Sequence, residues 1–253
     1  MSEQKLKHGN PELFNSMMQP HFCPGCHYGT MLRALCEALE ETEVVGESVL
    51  VTGIGCSMVS AHYIKKLEGV VALHGRAPAV ATGVKRSLGK DKIIITMQGD
   101  GDLSAIGMGE IMAAANRFEK LTTIFLNNAN FGTTGGQAAP TSMEGQVTPT
   151  TPRGKSIEES GFPVHMAELM ANLKGVVYTF RGALNTHKNY NKTRKALITA
   201  IEKQKEDAGY SFVEILSACP PGHHVKAQNS LELVEKIIEE FPLGEFKNTE
   251  RPI

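Results

Sequence analysis

The sequence predicts an α/β fold in which a mostly parallel sheet is covered by helices on both faces. Short runs of apolar and β-branched residues alternate along the chain with segments of helical periodicity. These runs are apolar almost throughout instead of alternating with polar residues, which is typical of parallel strands buried on both faces.

The predicted elements cover most of the chain. Strands are predicted at 48–52, 70–73, 92–97, 122–126, 176–180 and 212–216, and helices at 27–41, 77–88, 104–119 and 187–206. The segment 129–165 is rich in Gly, Thr, Pro and Gln and has no clear periodicity. Loops of this length inside a compact domain are usually functional or disordered, and these small residues suit wrapping around a ligand or partner.

Length and charge limit the functions to be considered. The 253 residues fit one large domain or at most two small ones, and no repeat or linker divides them. A net charge of −1 gives no indication of a nucleic-acid or anionic membrane surface. We expect no secretory signal and no membrane helix, because the apolar runs fall short of the roughly 18 residues that a membrane span needs. The expected location is the cytoplasm.

Three loops that leave predicted strands have an unusual composition. They are Gly53–Ser57, Gln98–Ser104 and Asn127–Gln137. Because ligands of parallel sheets bind at the carboxyl ends of strands, we expect these loops to lie together on one edge and to form the functional site.

Asp100 and Asn128 form a candidate magnesium site. Asp100 lies in Gly-Asp-Gly-Asp directly after a strand, and Asn127-Asn128 close the next one. The flanking glycines allow the backbone to approach an anion, while the carboxylate and amide oxygens suit a small octahedral cation. Alternatively, Gly-Asp-Gly is a simple turn. The Asn-Asn pair, followed by Gly-Thr-Thr-Gly-Gly-Gln, favours the binding site.

The cysteines suggest a metal or iron–sulfur site. Cys23-Pro-Gly-Cys26 places two thiols on one tight turn, and Cys56 and Cys219 each lie beside Gly or Pro residues. If these four converge, they offer a complete set of thiolates. A zinc knuckle would normally show a second closely spaced cysteine pair, which the sequence lacks. A thioredoxin-like dithiol would open a helix after a strand, and no strand-like run precedes His21-Phe22. Cys36 falls on an apolar helix face and is predicted to be a core residue.

Six motifs in order carry a resemblance to a known family. They are Cys-Pro-Gly-Cys, Gly-Ile-Gly-Cys-Ser, His-Gly-Arg-Ala-Pro-Ala, Gly-Asp-Gly-Asp-Leu, Asn-Asn-Ala-Asn-Phe-Gly-Thr-Thr-Gly-Gly-Gln and Ala-Cys-Pro-Pro-Gly. Over roughly residues 20–225 the chain resembles the beta subunit of 2-oxoacid:ferredoxin oxidoreductases. The resemblance implies one thiamine-diphosphate-binding domain over 1–253, with N-terminal and C-terminal segments that ligate a cluster.

The resemblance also implies the roles of individual residues. A [4Fe–4S] cluster would be held by Cys23, Cys26, Cys56 and Cys219, and Mg²⁺ by Asp100, Asn128 and the carbonyl of Asn130. Contacts with thiamine diphosphate are implied for Ile54, Gly55, Cys56, Ser57, His74, Gly101, Asp102, Gly132 and Thr133. We assign His74 and Arg76 to the catalytic site, where they would contact the diphosphate or an anionic substrate group. Their alternative roles are a loop histidine and a surface arginine at a helix start.

The implied reaction is oxidative decarboxylation of a 2-oxoacid to acyl-CoA and CO₂, with electrons passing through the cluster to ferredoxin. The activating glutamate of thiamine enzymes is expected from a partner alpha subunit, and gamma and ferredoxin-like subunits are implied by the resemblance alone. The resemblance implies that the loop after Cys56 faces the reactive end of the cofactor. The apolar Met58 and Val59 in this loop favour a branched aliphatic substrate, 2-oxoisovalerate, over 2-oxoglutarate or pyruvate. The alternatives are a non-redox thiamine decarboxylase or synthase subunit and a non-catalytic iron–sulfur electron-transfer module.

Overall fold

The structure, a computed structural model, describes residues 9–17, 19 and 21–251. Its strands are β1 (Ser48–Thr52), β2 (Glu68–Val71), β3 (Ile93–Gly99), β4 (Thr122–Asn127), β5 (Val176–Ala183), β6 (Tyr210–Leu216) and β7 (Gly244–Asn248). They form one sheet in the order β2-β1-β3-β4-β6-β5-β7. β1 to β6 run parallel, and β7 pairs antiparallel with β5 at one edge. The predicted α/β fold with a mostly parallel sheet is confirmed.

Helices cover both faces of this sheet. They are α1 (Tyr28–Glu41), α2 (Ala77–Leu88), α3 (Met108–Asn116), α4 (Ile157–Ser160), α5 (Met166–Ala171), α6 (His187–Lys205) and α7 (Ser230–Glu240). The shorter turns are 3₁₀ helices at Val45–Glu47, Cys56–Tyr63 and Ala227–Asn229 and a π-helix at Gly101–Ile106. No helix within the described ranges is both long and apolar enough to cross a membrane.

Two apolar cores explain why the strands are continuously hydrophobic. Side chains of successive strand residues point to opposite faces, so Ile93 and Ile95 pack with α1 and α6, while Ile94 packs with α2, α3 and α5. All three are at most 2% exposed. Burial of each such side chain contributes roughly 1.5–3 kcal/mol, which stabilises the sheet from both sides.

Several predicted boundaries differ from the observed ones. The strand predicted at 70–73 is β2, Glu68–Val71, an edge strand without a continuous apolar run. The helix predicted over 104–119 is a π-helix followed by α3, because the chain after the Gly-Asp-Gly motif first forms a wider turn with i→i+5 geometry before regular helix begins at Met108. The pattern also missed α5, α7 and β7, the last being a short polar edge strand.

The strand order creates a crevice at the carboxyl end of the sheet. The chain moves from β1 to β2 on one side and then returns to β3 on the other side of β1. The connections after β1 and β3 therefore diverge and leave a gap between them. Such a switch point is where open α/β sheets bind ligands.

Candidate functional site

An open pocket with a cavity volume of about 110 Å³ lies at this crevice. The pocket is lined by Tyr28, Ile54, Gly55, Cys56, His74, Gly99, Asp100, Gly101, Asp102, Asn128, Asn130, Phe131, Gly132, Thr133 and Thr134. The loops after β1, β3 and β4 thus meet on one edge of the sheet.

The structure brings most of the proposed cofactor residues to this lining. Ser57 lies outside it: the side chain is buried, and its hydroxyl has no hydrogen-bond partner within the part of the chain that the structure describes. Arg76 also lies outside it, at the start of α2, where its half-exposed guanidinium pairs with Glu110. The assignment of Ser57 therefore rests on the resemblance alone, and that of Arg76 on the ability of its guanidinium to bind an anionic group.

Asp102 connects the loops after β1, β2 and β3. Its buried carboxylate accepts hydrogen bonds from Ile54 N (3.2 Å), Gly75 N (2.8 Å) and Gln98 Nε2 (2.5 Å). His74 Nδ1 lies 2.6 Å from the same carboxylate. Because the carboxylate is an acceptor, His74 donates from Nδ1, which leaves Nε2 for a ligand.

The surroundings of Asp100 fit a bound cation. Its oxygens accept hydrogen bonds from the backbone N–H of Asn128 (2.8 Å) and from the Thr141 hydroxyl, and both of these donors are neutral. Burial raises the pKa of the Asp100 carboxyl to about 7. A buried carboxylate is costly without a compensating positive charge. A cation at the oxygens of Asp100 and Asn128 would supply that charge.

Asn130 provides a second observation that fits an absent group. Both polar atoms of its side chain are buried and have no hydrogen-bond partner among the described residues. Buried amides are nearly always hydrogen-bonded, so an unpaired one points to a ligand, water or ion. The Asn130 backbone amide donates to Asn128 Oδ1 at 3.3 Å, which places it beside the candidate magnesium ligand.

Two glycines allow the loops around the pocket to pack closely. A Cβ on Gly101 would lie 1.9 Å from the Phe131 ring, and one on Gly53 would lie 1.8 Å from Asp102 Oδ2. Neither position has room for a side chain. Glycine there lets the loop after β1 pack against Asp102 and lets Gly101, which lines the pocket, pack against Phe131.

Four of the five thiols lie close enough to influence one another. Burial, followed by the other three cysteines, raises the pKa of Cys26 to about 12. Burial, with Cys56 and Cys23 nearby, raises the pKa of Cys219 to about 11. Cys36 is fully buried on α1, apart from this group. Burial and the neighbouring thiols thus make the thiolate forms costly in the absence of a metal. Bound iron would compensate the thiolate charges, so the group fits an iron–sulfur site.

No three His, Cys, Asp or Glu side chains of the described ranges converge tightly enough to hold one metal ion. In a four-iron cluster each thiolate binds a different iron, so its cysteines surround the cluster instead of meeting at a point.

Comparison with known proteins is decisive for the family. Residues 53–215 match the family model described as thiamine pyrophosphate enzyme, C-terminal TPP binding domain. Over 255 residues the chain is 32% identical to the 2-oxoglutarate synthase subunit KorB of Methanocaldococcus jannaschii, covering 92% of this chain and 89% of that one. The chain belongs to the thiamine pyrophosphate enzymes, as a 2-oxoacid oxidoreductase subunit. Thiamine pyrophosphate and thiamine diphosphate are the same cofactor.

Other relatives of this thiamine pyrophosphate enzyme subunit differ in length. It is 41% identical over 229 residues to the ketoisovalerate oxidoreductase subunit VorA of Methanothermobacter thermautotrophicus, covering 90% of this chain but 48% of that one. The chain thus spans about half the length of the VorA relatives. The fold also resembles a 2-oxoglutarate:ferredoxin oxidoreductase from Magnetococcus marinus, with a TM-score of 0.79 and 24% identity over 98% of this chain and 88% of that one.

Sequence reasoning missed several residues of the thiamine pyrophosphate enzyme site. Tyr28 and Thr134 line the pocket, Thr141 bonds to Asp100, and His223 Nε2 lies 2.7 Å from the Asn128 carbonyl oxygen. Only the unusual composition of segment 129–165 pointed toward Thr141. Val59, expected near the reactive end, is partly buried against the apolar core and is not among the lining residues.

Proposed function

We propose that this chain is the beta subunit of a 2-oxoacid:ferredoxin oxidoreductase, which oxidatively decarboxylates a 2-oxoacid to acyl-CoA and CO₂ and passes the electrons through a [4Fe–4S] cluster to ferredoxin. The position of Cys56 is the main support. It lines the cofactor pocket, and its thiol lies near Cys26 and Cys219. One residue thus borders both the proposed diphosphate site and the proposed four-thiol site, which supports oxidation over simple decarboxylation.

The proposed cofactors are thiamine diphosphate, Mg²⁺ and the cluster. Asp100, Asn128 and the Asn130 carbonyl would hold the Mg²⁺, and Cys23, Cys26, Cys56 and Cys219 the iron. Thiamine diphosphate, when bound, supplies a carbanion for attack on the 2-keto carbon and an acceptor for the charge left by decarboxylation.

The protein's own residues position and orient what the pocket binds. Asp102 holds the loops after β1, β2 and β3 together and fixes the His74 ring through Nδ1. Because Nδ1 donates to Asp102, Nε2 of the neutral ring would accept a hydrogen bond from a donor group in the pocket. The proposed domain organisation is one thiamine-binding domain over 1–253, with Cys23 and Cys26 before α1 and Cys219 after β6. A cytoplasmic location stays a prediction.

We propose that a partner alpha subunit covers the pocket and supplies the activating glutamate. Exposed apolar side chains beside the pocket support a partner there, because Ile54 lines the pocket and is 37% exposed, and Leu73, next to the lining residue His74, is 78% exposed. Exposed apolar side chains grouped at one place are typical of interfaces. The gamma and ferredoxin-like subunits, ferredoxin and coenzyme A remain proposals from the resemblance.

We propose 2-oxoisovalerate and similar branched-chain acids as substrates, with 2-oxoglutarate and pyruvate as the alternatives. The 41% identity with the ketoisovalerate subunit against 32% with the 2-oxoglutarate subunit supports this choice. The described residues that line the pocket also include no Lys or Arg that could pair with a distal carboxylate. Burying such a carboxylate unpaired would cost several kcal/mol.

One anaerobic preparation tests the proposed function against its alternatives. Iron content, the absorbance spectrum and magnesium-dependent binding of thiamine diphosphate are measured together, and we expect about four irons per chain and one cofactor site. Cofactor binding without iron would indicate a non-redox thiamine enzyme, and iron without cofactor binding an electron-transfer module. Stoichiometric zinc would contradict the cluster. Coenzyme-A-dependent turnover is expected only after the alpha subunit is added.

A further inference from the structure

The turn that follows Cys219 packs directly on the loop that carries Asn128. We call residues 219–223 the cysteine turn and residues 127–137 the asparagine loop. His223 N donates to Cys219 O at 3.1 Å and closes the turn. The side chain of His223 then reaches the asparagine loop, where Nε2 donates to Asn128 O at 2.7 Å. A carbonyl oxygen can only accept, so the hydrogen of this bond is on Nε2.

Three glycine contacts show that nothing separates the two segments. A Cβ on Gly222 would lie 2.7 Å from Asn130 Nδ2, and one on Gly136 would lie 2.8 Å from Gly222 Cα. A Cβ on Gly132 would lie 3.1 Å from Cys219 Sγ. Because the two segments pack this closely at three points, two of them against side chains and one between backbones, displacement of one segment requires displacement of the other.

The Asn128 backbone is held from both sides. Its N–H donates to the Asp100 carboxylate at 2.8 Å, and its carbonyl accepts from His223. A continuous path therefore runs from Cys219 through His223 and Asn128 to Asp100. Three hydrogen bonds, with His223 and Asn128 between them, thus link a proposed iron ligand to a proposed magnesium ligand that is distant in sequence.

We propose that His223 is a positioning residue that couples cluster binding to binding of magnesium–thiamine diphosphate. The inference rests on the proposed function, because it requires both groups in one chain. Occupation of Cys219 by iron would order the cysteine turn, and His223 would transmit that order to the Asn128 backbone. Such coupling is reciprocal, so the cofactor must also stabilise the cluster by the same factor.

The test compares the affinity for magnesium–thiamine diphosphate in cluster-loaded and chelator-treated forms of the full chain, by anaerobic calorimetry. We expect the loaded wild type to bind at least about fivefold more tightly, the lower end of typical coupling between sites. His223→Phe keeps a ring without a donor and should lose this ratio, whereas His223→Gln keeps a donor and should retain part of it. His224→Asn is the matched control, because His224 is exposed and Asn tolerates its left-handed backbone (φ 54°).

A spectroscopic readout serves as the second test, in case a variant folds too poorly for its affinity to be measured. The electron paramagnetic resonance spectrum of the reduced cluster should change when magnesium–thiamine diphosphate is added to wild type and to His224→Asn, but not to His223→Phe. Equal affinity ratios in wild type and His223→Phe, or a wild-type ratio of one, overturn the coupling while leaving the proposed function intact. A wild-type chain that binds no iron overturns the proposed function and the coupling with it.

Discussion

Glu214, at the centre of β6, accepts a 2.7 Å hydrogen bond from the side-chain amide of Asn127, the last residue of β4. The same buried carboxylate accepts from Arg181 Nε at 2.9 Å and from Ala167 N at 3.1 Å. Asn127 Oδ1 in turn accepts from Ala129 N at 3.1 Å. The asparagine loop therefore begins from a charged network buried inside the sheet.

We expect Glu214→Gln to lower the free energy of unfolding by about 3 kcal/mol, since removal of one partner from a buried ion pair typically costs 3–5 kcal/mol. The glutamine side chain would also place an NH₂ donor where the Glu214 carboxylate now accepts hydrogen bonds from Asn127, Ala167 and Arg181. Urea denaturation measures the change. Glu168→Gln is the control, because Glu168 also pairs with Arg181 but its side chain is 36% exposed. Equal losses in the two variants would argue against a special role for Glu214.

Gly101→Ala should prevent binding of thiamine diphosphate, because the new methyl would overlap the Phe131 ring. Gly83→Ala is the control: Gly83 is exposed within α2, and a Cβ there meets nothing within 4 Å. It should stabilise the chain by about 0.5–1 kcal/mol, since alanine loses less backbone entropy in a helix. Calorimetric titration and thermal unfolding measure both effects. Normal cofactor affinity in Gly101→Ala would show that the proposed site does not require glycine at position 101.

Asp100→Ala should abolish magnesium-dependent binding of thiamine diphosphate while the chain still folds. Thr141→Val should weaken binding by about tenfold, because a hydrogen bond to a charged group contributes about 1.5–3 kcal/mol. Thr141 donates to Asp100 and does not line the pocket. Titrations with and without Mg²⁺ distinguish the two variants. Unchanged affinity in Asp100→Ala would refute the magnesium assignment.

Iron content should separate Cys36 from the other cysteines. Cys36→Ala should retain the iron of the wild type, because this thiol is buried on the apolar face of α1. Cys56→Ala and Cys219→Ala should each lose most of it. Iron and labile sulfide are assayed after anaerobic purification, with circular dichroism as the check on folding. Loss of iron in Cys36→Ala alone would reverse the assignment.

The reconstituted complex should prefer 2-oxoisovalerate to 2-oxoglutarate by at least about tenfold in kcat/KM, which corresponds to about 1.4 kcal/mol. The reason is that no Lys or Arg is among the described residues that line the pocket, so a distal carboxylate would be left unpaired there. Parallel assays with 2-oxoisovalerate, pyruvate and 2-oxoglutarate measure the preference. A preference for 2-oxoglutarate would mean that another residue, such as Arg76, or the alpha subunit supplies the cation.

Local sequence determined the elements and the chemistry that each loop carries. β1 and α2 begin and end where their apolar patterns predict, at Ser48–Thr52 and Ala77–Leu88, because burial on the sheet faces selects those patterns directly. The glycine and asparagine motifs identified the loops that meet at the pocket, since the carboxyl ends of parallel strands share one edge.

Only the tertiary structure decided how these loops are held. His223 and Asn128 are 95 residues apart, and Asp100 and Thr141 are 41 apart. Arg76 meets Glu110 at the surface, although its motif suggested the pocket. The π-helix after Asp100 likewise follows from packing around Asp102. Such contacts depend on strand order and on the packing of distant segments, and the periodicity of a single segment encodes neither.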